Sequence, residues 1–301
     1  MHKVKQWLKN CIKRDDPLYN VLRFFYREGL GWIHIVRDTY IYCYVRRKLL
    51  PAMTCSTPLM SVHQDKKIIW TCWFQGMEQA PDIVKKCNQV LRQKENVPIV
   101  VLTDENFTDY VDLPQFILDK YKQGIISPTH FSDILRTALL YQHGGIWIDS
   151  TILLMKPIPA AVWGERLFFF QPTPSEITWA RMSNHFLRAH AGECIMERTL
   201  RGVFSFWEHH DIIKDYFLYH YIFMVAVKMD EAHHRVTDYM MMRFSEENHI
   251  LQKIMFEPFH QGTWEWVQDV SFMQKLTYKD IPTEHLHGSY YDYILKEGSL
   301  G

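Results

Sequence analysis

Apolar residues recur at helical spacing through Phe131, Ile134, Leu135, Ala138 and Leu139, which predicts a helix over 128–143. Ser127 supplies a hydroxyl N-cap and Pro128 fits the first helical position. His143-Gly144-Gly145 ends the helix, because glycine enters the left-handed region without steric cost. Ile146-Trp147-Ile148 is too short for another helix and carries β-formers, so it predicts a buried strand running into Asp149. Upstream, 67–74 predicts a first strand. A stripe of Ile83, Val84, Cys87, Val90 and Leu91 predicts a helix over 81–91, and 97–102 a second buried strand. Strand, helix and strand at this spacing argue for a parallel βαβ unit and a Rossmann-like half. A short helix is expected over 113–121, and strands over 152–154, 167–170 and 176–181. The C-terminal third reads as helical, with helices over 190–209, 213–229 and 263–276, the last packing through Trp264, Val267 and Phe272.

Residues 1–50 form an amphipathic pattern in which Val4, Trp7, Leu8, Cys11 and Ile12 make one stripe among Lys3, Lys5, Lys9 and Lys13. Arg46-Arg47-Lys48 closes this stretch, and 51–66, with two prolines and several small polar residues, reads as a linker. The expected organisation is a basic helical segment and linker over 1–61, then an α/β domain over 62–301.

Composition changes this picture at a few points. Hydrophobic content of 47% with 23% charged residues is ordinary for a folded protein. The formal net charge of zero hides an asymmetry, because residues 1–50 hold eleven Lys and Arg against four Asp and Glu. Such a segment can bind an anionic membrane surface, or pack on the α/β domain with a solvated basic face. Nucleic acid is not an expected partner, since no recognised binding motif accompanies the charge. The six cysteines form no Cys-x-x-Cys pair and read as scattered thiols. No run of about 18 apolar residues occurs, and the N-terminus lacks a signal-peptide pattern, so no membrane span and no leader are expected.

The chemistry concentrates around the 128–149 stretch. Asp133 and Arg136 share a stripe beside the apolar face, and the glycine turn then delivers a strand ending in Asp149. Ligands in open α/β sheets sit beyond the carboxyl ends of the strands. Taken alone, Asp133 and Arg136 are a surface pair at i,i+3, stabilising by about 0.2–0.5 kcal/mol. Asp104, just past a strand end, reads either as a helix cap or as a nucleoside contact. Asp215 and His220 are five apart and do not share a helix face. His209-His210 and His233-His234 lack the His-Glu-x-x-His spacing and read as solvated or capping histidines.

S-D-I-L-R at 132–136 and L-L-Y-Q-H-G-G-I-W-I-D at 139–149 together resemble the signature of sugar-nucleotide glycosyltransferases of GT-A fold. Within them the chain is most similar to capsular polysaccharide synthesis proteins and to the glycosyltransferase family 32 group. K-I-I-W-T-C-W-F-Q-G at 67–76 resembles the family's opening strand, and D-Y-F-L-Y-H-Y-I-F at 215–223 a segment common in the capsular subgroup. The resemblance implies an α/β fold of GT-A type, a Rossmann-like mixed sheet flanked by helices, with an N-terminal helical appendage and a helical C-terminal third. It implies transfer of a hexosyl group, with retention, from a UDP- or GDP-sugar to a saccharide or lipid-linked saccharide in surface polysaccharide synthesis. Asp133, Arg136 and Asp149 are then the catalytic set. Trp73, by its position, would stack on the base. Ser132, Gly144, Gly145, Thr151 and His220 complete the donor site. The resemblance also implies a divalent ion, Mn²⁺ or Mg²⁺, on Asp149, although the expected Asp-x-Asp reads Asp149-Ser150-Thr151 and a hydroxyl replaces the second carboxylate. K-L-T-Y-K at 275–279 resembles a tail segment in which a basic residue or hydroxyl closes on the phosphates. A cytoplasmic location follows, peripheral on the inner face of the cell membrane through residues 1–50. The alternative is a sugar-nucleotide-binding domain that lost catalysis with its second aspartate, or a membrane scaffold of a polysaccharide assembly. No residue identifies itself as a general base.

Overall fold

The computed structural model describes residues 33–171, 182–231, 247–282, 284 and 286–296. In chain order it contains α1 (Ile33–Tyr44), β1 (Ile69–Cys72), α2 (Asp82–Lys94), β2 (Ile99–Leu102) and α3 (Gln115–Lys122). Next come α4 (Pro128–His143), β3 (Gly145–Ile148), β4 (Ile152–Leu154), β5 (Leu167–Phe170) and β6 (Ser183–Ala189). The chain continues through α5 (Cys194–His209), α6 (Leu218–Glu231), α7 (Gln261–Val270), β7 (Met273–Lys275) and α8 (Tyr290–Lys296), with short helical turns between.

Five strands form one mixed sheet in the order β2-β1-β3-β6-β5. β1 pairs in parallel with β2 and β3, whereas β6 runs antiparallel to both β3 and β5. The carboxyl ends of β1, β2 and β3 and the amino end of β6 therefore share one edge. This is the mixed sheet flanked by helices that a GT-A-like fold requires. β4 and β7 pair antiparallel in a separate two-stranded sheet.

Alternating side chains along each strand feed two cores, as the two-residue period of a strand dictates. Trp70, Trp147, Phe169 and Leu187 point into one core with α4, α5 and α6. Ile69, Ile146, Phe168 and Phe186 point into the other with α2, β4, α7 and β7. α1 and the turns after it belong to the first core through Ile41, Val45, Leu49 and Met53, all buried. Gly202 on α5 permits that packing, because a Cβ there would lie 2.6 Å from Ile222 Cγ2 and 3.2 Å from Met53 Cγ. Arg46, Arg47 and Lys48 remain exposed.

Several elements differ from the sequence pattern. The helix expected over 263–276 stops at Val270, and β7 follows. Ser271 takes an extended conformation, and the chain then pairs with β4, a partner more than a hundred residues upstream that local spacing cannot reveal. α5 starts at Cys194 rather than 190, because Gly192 turns at positive φ and the Glu193 side chain accepts from the Ile195 amide as an N-cap. α6 begins at Leu218, after the Phe217 amide donates to Asp215 Oδ1 at 2.7 Å. The expected strand over 176–181, the segment 1–32 and His233-His234 lie outside the described residues. Cys43, Cys55, Cys72, Cys87 and Cys194 are free thiols. Among the described residues no helix is long and apolar enough to cross a membrane.

Candidate active site

A cleft of about 570 Å³ opens at the shared strand edge. α4 is placed to serve it by its own end signals. Ser127 Oγ accepts from the His130 amide at the start, and Gly144, at φ +68°, ends the helix. Between them one face sinks into the core, while Ser132, Asp133 and Arg136 turn to the cleft.

Arg136 is the hub. Its Nε donates to the Ser132 carbonyl at 3.2 Å, its Nη2 to Ser132 Oγ at 3.1 Å, and its Nη1 to the Asn184 carbonyl. The guanidinium carbon lies 4.9 Å from the centre of the Trp147 ring, 3.3 Å separates Nη2 from Asp133 Oδ1, and 3.5 Å separates Nη1 from Asp149 Oδ1. Both Asp133 and Arg136 are only 4% exposed, so the pair is not the solvated surface bridge that its spacing alone suggests. A buried charge of this kind must be matched by partners, and breaking one costs about 3–5 kcal/mol. Asn184, the second residue of β6, donates to Asp133 Oδ1 at 2.7 Å.

Asp149 is clamped from both sides. Trp147 Nε1 donates to its Oδ1 at 2.9 Å and Lys275 Nζ to its Oδ2 at 2.8 Å. Lys275 is brought there by β7, whose register sets it opposite Ile152. Burial by itself would raise the Asp149 carboxyl, but Lys275 and Arg136 outweigh it and hold the group well below the usual carboxylate range. Asp133 has the opposite balance. Burial pushes it up to about 6 against the pull of Arg136, with the Asp149 charge adding to the rise. Burial, with Arg136 and His130 adding, lowers His220 to about 3, so this histidine is neutral at physiological pH. Its Nδ1 is buried with no hydrogen-bond partner among the described residues.

Seven of the nine residues named from the sequence line this one cleft: Trp73, Ser132, Asp133, Arg136, Asp149, Thr151 and His220. Gly144 and Gly145 do not. Gly145, at φ +96°, lets β3 approach β1 so closely that a Cβ would sit 2.5 Å from the Ile68 carbonyl, and the Gly144 carbonyl accepts from Trp70 Nε1 at 3.0 Å. Asp104 also stands outside the cleft, where Tyr121 donates to it at 2.6 Å, and its side chain caps no helix. His209 Nδ1 bonds the Ser205 carbonyl and His210 Nε2 the Tyr44 hydroxyl. Residues that spacing did not assign complete the walls. Tyr278 meets Trp73 edge-on at 5.1 Å, and Tyr216 and Phe217 flank the entrance, 60% and 41% exposed. Asn184 is not among the residues assigned to the site from the sequence. Lys275 and Tyr278 belong to the segment marked by its family likeness, and the helix expected over 263–276 hides the direction of the Lys275 side chain alone.

The donor set does not fit a divalent ion. Both Asp149 oxygens are engaged by cations or an indole N–H, and Thr151 stands where the second carboxylate is expected. Among the described residues no group of three or more His, Cys, Asp or Glu side chains could hold a metal. A metal here would also have to sit beside an ammonium and a guanidinium.

Fold and cleft together define an α/β protein of GT-A-like architecture, with its polar groups gathered beyond the strand ends. The chain belongs to the capsular polysaccharide synthesis protein family, whose pattern it matches over residues 37–294. It is also similar to the probable glycosyltransferase FCK3 of Fusarium pseudograminearum (strain CS3096), 27% identical over 160 residues. That match takes in 47% of this chain and 39% of the relative's length.

Proposed function

We propose that the protein is a glycosyltransferase that moves a hexosyl group from a UDP- or GDP-sugar to a saccharide or lipid-linked saccharide acceptor in surface polysaccharide synthesis. The observation that carries this reading is the convergence of Arg136 and Lys275 on Asp149, in a cleft with Trp73 and Tyr278 on its wall. In the reaction the anomeric C–O bond breaks through an oxocarbenium-like transition state, and its electron pair leaves on the nucleoside diphosphate. The acceptor hydroxyl oxygen forms the new bond to the anomeric carbon and gives up its proton. Cations aimed at the leaving diphosphate stabilise the growing charge, and the rigid fork of Arg136 suits phosphate oxygens. Trp73 offers an aromatic face to the base, while Asp133 and Ser132 offer hydrogen bonds to sugar hydroxyls. Neutral His220 faces the same space and can bond the diphosphate or the acceptor. Transfer with retention follows the family likeness. The exposed Arg46-Arg47-Lys48 turn supports placement at an anionic membrane surface.

Thermal-shift measurements with a panel of UDP- and GDP-sugars test the reading. A donor-selective rise in melting temperature is expected, lost in Arg136→Ala. No shift with any donor would sink it. The rival reading, donor binding without transfer, draws on Thr151 replacing a carboxylate. Donor binding with no product from any acceptor would select it.

A further inference from the structure

We propose that the Lys275 ammonium occupies the role of the divalent ion, so that donor binding and transfer proceed without a metal. The inference rests on the nucleotide-sugar reading above and adds the identity of the cation that meets the diphosphate. Three observations carry it. The first is that Lys275 Nζ lies 2.8 Å from Asp149 Oδ2, on the carboxylate that a metal would need. The second is that the lysine is held by backbone rather than by a flexible loop. β7 pairs with β4 in a register that places Lys275 opposite Ile152, and the Leu276 amide donates to the Thr151 carbonyl at 2.9 Å. The strand thus binds Lys275 to the same turn that carries Asp149 and Thr151. The third is that Lys275 lines the cleft and remains 20% exposed along its side chain, so the ammonium faces both the carboxylate and the ligand space.

An ammonium has three N–H donors and no acceptor. One is committed to Asp149, and the others can reach oxygens of a diphosphate entering the cleft. Asp149 then plays the part of an anchor: it fixes and orients the cation. When the anomeric C–O bond breaks, its electron pair stays on the diphosphate oxygen. Lys275 keeps its proton throughout and donates a hydrogen bond to that charge, beside the Arg136 fork. The acceptor hydroxyl's proton goes to the departing diphosphate or to water, which closes the balance. No oxidant, reductant or further co-reactant enters this balance.

Two measurements on the full chain test the idea. Titrating wild-type protein with Mn²⁺ and following free Mn²⁺ by electron paramagnetic resonance should show no stoichiometric site; a stoichiometric site would overturn the proposal. Calorimetry with UDP and GDP, in EDTA and then in Mn²⁺, should give affinities that agree within about two-fold. Lys275→Met should weaken the tighter nucleotide about ten- to a hundred-fold, as expected for a lost charged hydrogen bond, with Lys275→Arg retaining most of the affinity. Binding that appears only with Mn²⁺, or tightens ten-fold or more, would overturn the lysine's role while leaving the transferase reading in place. Binding of neither nucleotide in either buffer would overturn both readings. The EDTA comparison and the Mn²⁺ titration need no variant, so a misfolded Lys275→Met does not weaken the test.

Discussion

Asp133 and Asp149 sit in one cluster with opposite electrostatics, and their pH responses separate them. Asp133 is raised to about 6 in the folded chain, above its unfolded value, so its protonation stabilises the fold. That contribution is complete below the unfolded pKa and disappears as pH rises through about 6. Asp149 is depressed, so its contribution is present above the unfolded pKa and lost as pH falls below it. Of these two carboxylates only Asp133 titrates between pH 7 and 5. Wild type should gain stability over Asp133→Asn across that interval, on the order of 1 kcal/mol. Thermal melts at stepped pH would check this, and parallel curves for the two proteins would refute it. On the proposed reading the same protonation removes an acceptor for sugar hydroxyls, so donor affinity should fall as pH drops below about 6 in wild type but not in Asp133→Asn. Arg136→Lys keeps the charge but loses the fork to Ser132 and Asn184, and should reduce turnover by about a hundred-fold, read in initial rates. At this scale the sequence was most informative for Asp133, Arg136 and Asp149, because one helix and one turn deliver all three. Lys275 is marked in the sequence only by the family likeness of 275–279, since its place beside Asp149, 126 residues upstream, depends on β7 pairing with β4.

Elements were legible where their signals are local. The Ser127 cap, Pro128 and the glycine stop fix α4 at both ends, and the bounds expected from them are the bounds observed. Ser127→Ala should cost about 1 kcal/mol in denaturant unfolding, with no change in donor affinity of the folded protein. Gly145 separates a structural from a ligand role. With φ at +96° and the Ile68 carbonyl in the way, Gly145→Ala should destabilise by about 2 kcal/mol or more. Donor affinity in the remaining folded fraction should hold, and a selective loss of affinity at unchanged stability would reverse that assignment. β6 and β7 were missed as strands because their hydrogen-bond partners are remote. Ser183–Ala189 carries Asn184, His185 and Arg188 amid its apolar residues, and Met273–Lys275 is only three residues long.

For the whole molecule, the parallel half of the sheet was implied by strand-helix-strand spacing, while the antiparallel β6 and β5 depend on chain reversals that no periodicity encodes. Of the two readings open for residues 1–50, a membrane-binding segment or a helical appendage packed on the domain with a solvated basic face, the second describes how 33–53 buries Ile41, Val45, Leu49 and Met53 in the sheet's own core. Its Arg46-Arg47-Lys48 turn stays outside. Replacing those three by alanine should weaken sedimentation with phosphatidylserine vesicles, by about 1 kcal/mol per charge at low salt, and 0.5 M salt should do the same to wild type. Vesicle binding that ignores both changes would remove this turn from any membrane role. The most direct measurement of the central claim is nucleoside diphosphate release from a panel of UDP- and GDP-sugars, with saccharide and lipid-linked acceptors present. Release from one donor class, abolished in both Arg136→Ala and Asp149→Ala while melting shows each variant folded, is the predicted result. Release that persists in both folded variants would contradict a site built on Arg136 and Asp149.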